Sequence, residues 1–286
     1  MQTVLEISHL VKTIDDFQFG PIDLTFELGT IHALIGENGA GKSTFIKLLM
    51  ELMRKEDGQI RLYGKPIAAY GESWKQKIAY QPQTLIGCSS FTGLELMELM
   101  AHCYPTWNET YCKQLINMFE LPLNKPLGKL SQGVQQKLAN VLTLACDTDI
   151  VILDEPTAHI DIPAKQMLID VIAEWMERGD KLMIIASHQI EDIRKLADFL
   201  IVLKKGKLLG KYEKEELTSQ YKQYFLQQPL PNQPIPGEVD RKGGRIVISD
   251  QQDKTETYLT KNGFNWVQKE SLGLEEVISI LLKNER

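Results

Sequence analysis

One stretch constrains this chain more than any other: Gly36-Glu37-Asn38-Gly39-Ala40-Gly41-Lys42-Ser43-Thr44. It follows the apolar run Ile31-His32-Ala33-Leu34-Ile35 and precedes a helical spacing of Phe45, Leu48, Leu49 and Leu52. Strand, glycine loop and helix, in that order, are the setting that makes a short motif a phosphate cradle. Glycines let the backbone turn tightly and approach an anion, so successive N–H groups can point at phosphate oxygens. The helix start adds the positive end of its dipole at the same place. Lys42 would reach the β- and γ-phosphates and the Ser43 hydroxyl would coordinate Mg²⁺. The stretch predicts a nucleotide site.

Around it, the patterning predicts an α/β chain. Residues 3–35 alternate like short antiparallel strands, and Asp57-Gly58 opens a hairpin into Gln59–Tyr63. Ile78–Gln81 is a strand that stops at Pro82. Residues 90–127 read as two helices separated at Tyr104–Asn108, with Leu94, Met97, Met100, Leu115, Met118 and Phe119 on one apolar side. Ser131 is an N-cap for the next helix. Ile150–Leu153 and Leu182–Ala186 are wholly apolar, as strands inside a parallel sheet are. A helix between them has Pro163 just inside its start and Gly179 past its end. Ligands of open α/β sheets sit at the carboxyl ends of the strands. Gly36, Gln83, Asp154 and His188 all follow strand ends, so they are expected to converge on one edge.

Composition narrows the partners. A formal net charge of −6 argues against a nucleic-acid surface, and the basic run Lys204-Lys205-Gly206-Lys207 with Lys211 reads as a solvated hairpin turn. Cys88, Cys103, Cys112 and Cys146 show no metal-ligand spacing and are expected to be reduced thiols. The N-terminus lacks the basic and apolar regions of a signal peptide, and no apolar run approaches the ~18 residues needed to span a bilayer. A cytoplasmic protein is expected, meeting the membrane only through a partner. Beyond Gln228, Pro229, Pro231, Pro234 and Pro236 read as a linker over 229–240. It leads to a small accessory β/α unit over 241–286.

Six elements in order now resemble the ATPase subunit of an ATP-binding-cassette (ABC) transporter over roughly residues 1–220. They are Gly36–Thr44 (Walker A), Gln83 (glutamine loop), Leu130–Gln135 (signature), Ile150–Glu155 (Walker B), Ala158–Asp161 (aspartate loop) and Ser187-His188 (histidine switch). The resemblance implies a mainly parallel sheet core, N-terminal antiparallel strands and a helical subdomain at about 87–147, within a nucleotide-binding domain over 1–228. It also implies ATP and Mg²⁺ as cofactors. Asp154 and Gln83 would join Ser43 at the metal, Glu155 would polarise the attacking water, and His188 would contact the γ-phosphate. Ser131 and Gly133 would touch ATP held by an opposing subunit, with Asp161 along the seam. Partners would be an integral membrane permease and a second cassette, identical or not, at the inner face of the membrane.

Two departures stand out. Gln132 replaces the first signature glycine and Val134 the terminal glutamine, which suits a weak or one-sided composite site. Thr13-Ile14 stand where an adenine-stacking tyrosine is usual, with Phe17 as the stand-in. The separate single cassette, short insertion and appended C-terminal unit are most similar to bacterial exporters of drugs or antimicrobial peptides. A soluble cassette ATPase is the alternative, but those carry tandem cassettes or a long coiled coil, and Lys42 to Ser131 shows no sustained heptads. A small-molecule P-loop kinase would need neither Gln83, the signature nor Ser187-His188.

Overall fold

Apolar strands that alternate with amphipathic helices can bury both faces of a sheet only by layering, and this chain does so. The computed structural model describes residues 2–283. Its contacts divide the chain between Lys211 and Tyr212 into two compact units.

In the first unit, β1 (Thr3–Ile14) and β2 (Phe17–Glu27) pair antiparallel. β3 (Thr30–Ile35) runs into the glycine loop and α1 (Lys42–Leu49), and β4 (Asp57–Leu62) and β5 (Lys65–Pro66) complete a sheet of order β2-β1-β4-β5. Then come β6 (Ile78–Gln81), α2 (Gly93–Cys103), α3 (Glu109–Met118) and α4 (Gln132–Ala145). They are followed by β7 (Ile150–Asp154), α5 (Ile162–Met176), β8 (Leu182–Ala186), α6 (Ile190–Leu196), β9 (Phe199–Lys204) and β10 (Lys207–Glu213). The second sheet has the order β10-β9-β3-β8-β7-β6 and is parallel from β9 to β6.

Side chains alternate across that sheet. Ile150, Ile152, Leu182 and Ile184 enter a core shared with α1 and the antiparallel sheet. Val151, Leu153, Met183 and Ile185 enter another, filled by Leu138 and Val141 of α4 and Leu168 and Trp175 of α5. Being buried on both faces, β7 and β8 need to be apolar throughout. Each buried aliphatic or aromatic side chain there contributes roughly 1.5–3 kcal/mol.

The helical region divides where expected. α2 opens on a reciprocal cap between Thr92 and Glu95, and α3 starts where the Asn108 side chain accepts from the Tyr111 N–H at 3.0 Å. Its expected apolar side is split, however. Leu115 and Phe119 are buried and Met97 and Met100 half-buried, whereas Leu94 and Met118 are exposed.

The second unit holds α7 (Lys214–Gln220), β11 (Lys222–Leu226), β12 (Glu238–Lys242), β13 (Ile246–Ser249), α8 (Gln252–Lys261), β14 (Trp266–Ser271) and α9 (Leu274–Lys283). Its antiparallel sheet has the order β12-β13-β11-β14. The division therefore comes earlier than the expected 228, and residues 229–240 are part of this unit. Leu230 and Ile235 pack with Tyr224, Val247 and Leu259, and the Arg241 guanidinium donates to the carbonyls of Pro231 and Gln233. Proline removes backbone donors, but it does not stop the residues between prolines from being buried.

The four cysteines are free thiols. Among the described residues, no helix is long and apolar enough to cross a membrane. The basic hairpin turn lies between β9 and β10, but Lys211 is engaged: its Nζ donates to the Thr25 carbonyl at 2.8 Å and to Glu27 at 3.1 Å.

Candidate functional site

β3 delivers the glycine loop at its carboxyl end. Gly41 is the N-cap of α1 with φ +108, a backbone that disfavours any side chain. A Cβ there would also come within 2.8 Å of the Phe19 ring. α1 has no acidic residue in its first turn and no side-chain cap, so its free N–H groups and dipole are left for an anion. The Lys42 ammonium folds back over this loop and donates to the carbonyls of Gly36 at 2.6 Å and Glu37 at 3.2 Å. Burial lowers its pKa, while Glu155 and Asp154 pull the other way.

The loop forms one wall of a cleft of about 790 Å³, within the range of sites that take a drug-sized ligand. Phe17, Gln83, Asp154, Glu155 and His188 supply the remaining lining with residues 36–44. The expected convergence at one sheet edge is thus how the chain folds. β6, β7 and β8 run parallel and in register, so the residues just past their ends arrive together.

The electrostatics suit a cation, because two carboxylates stand side by side. Asp154 ends β7, and its carboxyl is pushed up to about 6, first by burial and then by the neighbouring Glu155. A divalent cation would relieve both effects. The Ser43 hydroxyl and Gln83 amide oxygen share the cleft, so the donor set is all oxygen and suits Mg²⁺. Glu155 has φ +54 and is tied to β8 by its N–H, which donates to the Ala186 carbonyl at 2.8 Å. Its Oε2 lies 2.8 Å from Nδ1 of His188, and the His188 side chain is 66% exposed to the cleft mouth.

Three expected residues lie outside this cleft. Ser131 caps α4 and is exposed, with Gly133 two residues on in the first turn. Asp161 is exposed and caps α5, its Oδ1 accepting from the Ala164 N–H at 3.0 Å. Sequence reasoning passed over several supports. Gly206, in the β9–β10 turn, donates to the Ala40 carbonyl at 3.0 Å and accepts from the Gly20 N–H at 2.8 Å, so it backs the loop. Gln189, next to His188, donates to Thr157 at 3.0 Å, and Lys165 pairs with Asp192 at 2.7 Å. Gln136 and Asn140 hold carbonyls beside Glu155. The polar residues at i and i+4 on α4 were the readable signal for the last pair.

A family model described as ABC transporter matches residues 19–158. Over 219 residues the chain is 30% identical to the ABC transporter ATP-binding protein YtrB of Bacillus subtilis (strain 168), covering 76% of this chain and 75% of that protein. The chain belongs to the ATP-binding proteins of ABC transporters. As such it is an ATPase subunit that binds ATP with Mg²⁺. It is also 30% identical to the ribose import ATP-binding protein RbsA of Lacticaseibacillus paracasei, but spans only 41% of that protein's length. Among solved structures, an ATP-binding subunit of an ABC transporter superimposes with a TM-score of 0.69 at 26% identity, covering 76% of this chain and 93% of the other. A dimeric ATP-binding cassette in a post-hydrolysis state, bound to ADP and Pi, shares the fold at a TM-score of 0.64 and 19% identity, covering 73% of this chain and 98% of the other.

Proposed function

We propose that this subunit hydrolyses ATP in the cleft between Gly36–Thr44 and His188, in a head-to-tail pair of cassettes that drives a membrane permease from its cytoplasmic side. The observation that carries the reading is the gathering of the loop, Gln83, Asp154, Glu155 and His188 on one cleft from four distant places in the chain. The loop amides and Lys42 would cradle the β- and γ-phosphates, and Phe17 would stack on adenine. Ser43, Gln83 and Asp154 would hold Mg²⁺, which when bound offsets the charge of the phosphates. Glu155 would act as general base on the attacking water. His188, with Nδ1 turned to Glu155, keeps Nε2 for the γ-phosphate and fixes the carboxylate that primes the water. Phosphoryl transfer depends on such positioning more than on covalent help.

Exposure supports the partners. Ser131 and Asp161 are exposed outside the cleft, and Ile162 beside them is 84% exposed. A second cassette covering them would bring Ser131 and Gly133 to its own ATP. Ile86, Phe91, Leu94 and Leu99 are exposed apolar side chains just beyond Gln83 and along α2, a patch suited to a cytoplasmic helix of the permease.

Export of a drug or peptide is the proposed direction. The short helical insertion and C-terminal unit favour it. Loss of the gene should then raise sensitivity within a panel of drugs and antimicrobial peptides. Unchanged sensitivity across the panel would count against export.

The deciding experiment is Glu155→Gln. A general base supplies ~10²–10⁴-fold, so turnover should fall by that factor while MgATP binding persists. Hydrolysis at the parental rate would remove Glu155 from this role. Co-purification with an integral membrane protein separates the reading from a cassette ATPase that works alone.

A further inference from the structure

α4 carries Gly133, Gln136 and Asn140 at i, i+3 and i+7, positions that share one helix face. The rest of its inner surface is mostly apolar, including Leu138, Val141 and Leu142, and the buried Thr143 hydroxyl is spent on the Ala139 carbonyl of the same helix. Gly133 lies so close to the aspartate loop that a Cβ would sit 2.4 Å from the His159 carbonyl. Farther along, the Gln136 amide donates to the Glu155 carbonyl at 2.8 Å. The Asn140 amide donates to the Pro156 carbonyl at 2.7 Å and to the Gln136 carbonyl at 3.0 Å. Both amides are buried, and their partners are carbonyls, so only the NH₂ groups can face them.

What these amides hold is unusual. Glu155 is a non-glycine residue at φ +54, a left-handed conformation that side chains disfavour. Its N–H is tied to Ala186 in β8 and its carbonyl to Gln136 in α4, so the peptide groups on both sides of this residue are anchored. Take away the Gln136 donor and a buried carbonyl loses its partner while the backbone is freed to relax to negative φ. That relaxation swings the carboxylate away from His188, because the Cα–Cβ direction rotates with the backbone.

We propose that Gln136, seconded by Asn140, is a positioning residue for Glu155: two buried amides on α4 hold its turn in the conformation that aims the carboxylate into the cleft. This rests on Glu155 acting as the general base. The test uses the full chain with Gln136→Met, which keeps length and volume and drops the donor, and Asn140→Ser, a smaller change that withdraws the second amide. The measurements are steady-state ATPase, the Kd of a fluorescent ATP analogue with Mg²⁺, and thermal melting.

Misaimed catalytic groups lose up to about 100-fold, so kcat of Gln136→Met should fall roughly 10–100-fold with nucleotide Kd within about twofold. Asn140→Ser should show the same split with a smaller loss, and it carries the test if Gln136→Met does not fold. Parental kcat in the folded variants, or Kd weakened by the same factor as kcat, overturns the proposal. Glu155→Gln run alongside keeps the two ideas apart. If it turns over normally, the role of Glu155 fails; if it is inactive while Gln136→Met and Asn140→Ser are normal, only the positioning role fails.

Discussion

Acid should weaken this protein through His32, in the strand that runs into the phosphate loop. The ring is fully buried in β3, stacked on Phe199 at 5.0 Å and edge-on to Phe26 at 4.8 Å. The Thr30 hydroxyl donates to the Glu27 carbonyl at 2.7 Å, so toward His32 it can only accept, from Nε2–H at 2.8 Å. A second proton would have to enter at Nδ1, which has no partner among the described residues. Burial, with a smaller push from Lys211, accordingly lowers the pKa to about 3 from an ordinary 6.5. Between those values the unfolded chain binds the proton and the folded one does not, so stability falls as pH drops below 6.5, by about 1.4 kcal/mol per unit. Going from pH 7 to pH 5 should remove about 2 kcal/mol. Urea unfolding of the parent and of His32→Phe at both pH values measures this. The variant keeps an aromatic ring between its neighbours and cannot titrate, so it should lose about 2 kcal/mol less than the parent. Equal losses in the two proteins would refute the assignment.

Three further outcomes are expected. Phe17→Ala removes the cleft's aromatic wall; stacking on a base is worth ~1–3 kcal/mol, so the Kd for ATP should rise roughly 5- to 150-fold, as read by nucleotide titration. Gly206→Ala would place a Cβ 1.9 Å from the Gln18 carbonyl at φ +79, whereas Gly64→Ala, at φ +73, meets nothing within 4 Å. Melting should therefore show about 1 kcal/mol lost at Gly64, the cost of φ alone, and a clearly larger loss at Gly206 together with weaker ATP binding. Ile86→Asp, at a side chain 89% exposed, should weaken co-purification with the permease while leaving the isolated subunit's ATPase rate unchanged.

Much of this was open to reading along the chain because the chemistry is local. A glycine loop between an apolar strand and an amphipathic helix carries its own reason, and so do carboxylates and a histidine placed just past buried strands. Wholly apolar runs alternating with amphipathic helices then suffice to expect β3, β7 and β8 inside one parallel sheet. Local signals fail where a residue's surroundings come from elsewhere. Prolines at 229–236 look like a spacer until Leu230 and Ile235 are seen to fill a core. Lys211 looks solvated until Thr25 and Glu27 are found beside it. Nothing near Glu155 in the chain announces its left-handed backbone, or that amides some twenty residues earlier on α4 satisfy the carbonyls there. Motif chemistry needs only neighbours in sequence, whereas aim, strain and burial depend on which distant segments the packed sheet brings into contact.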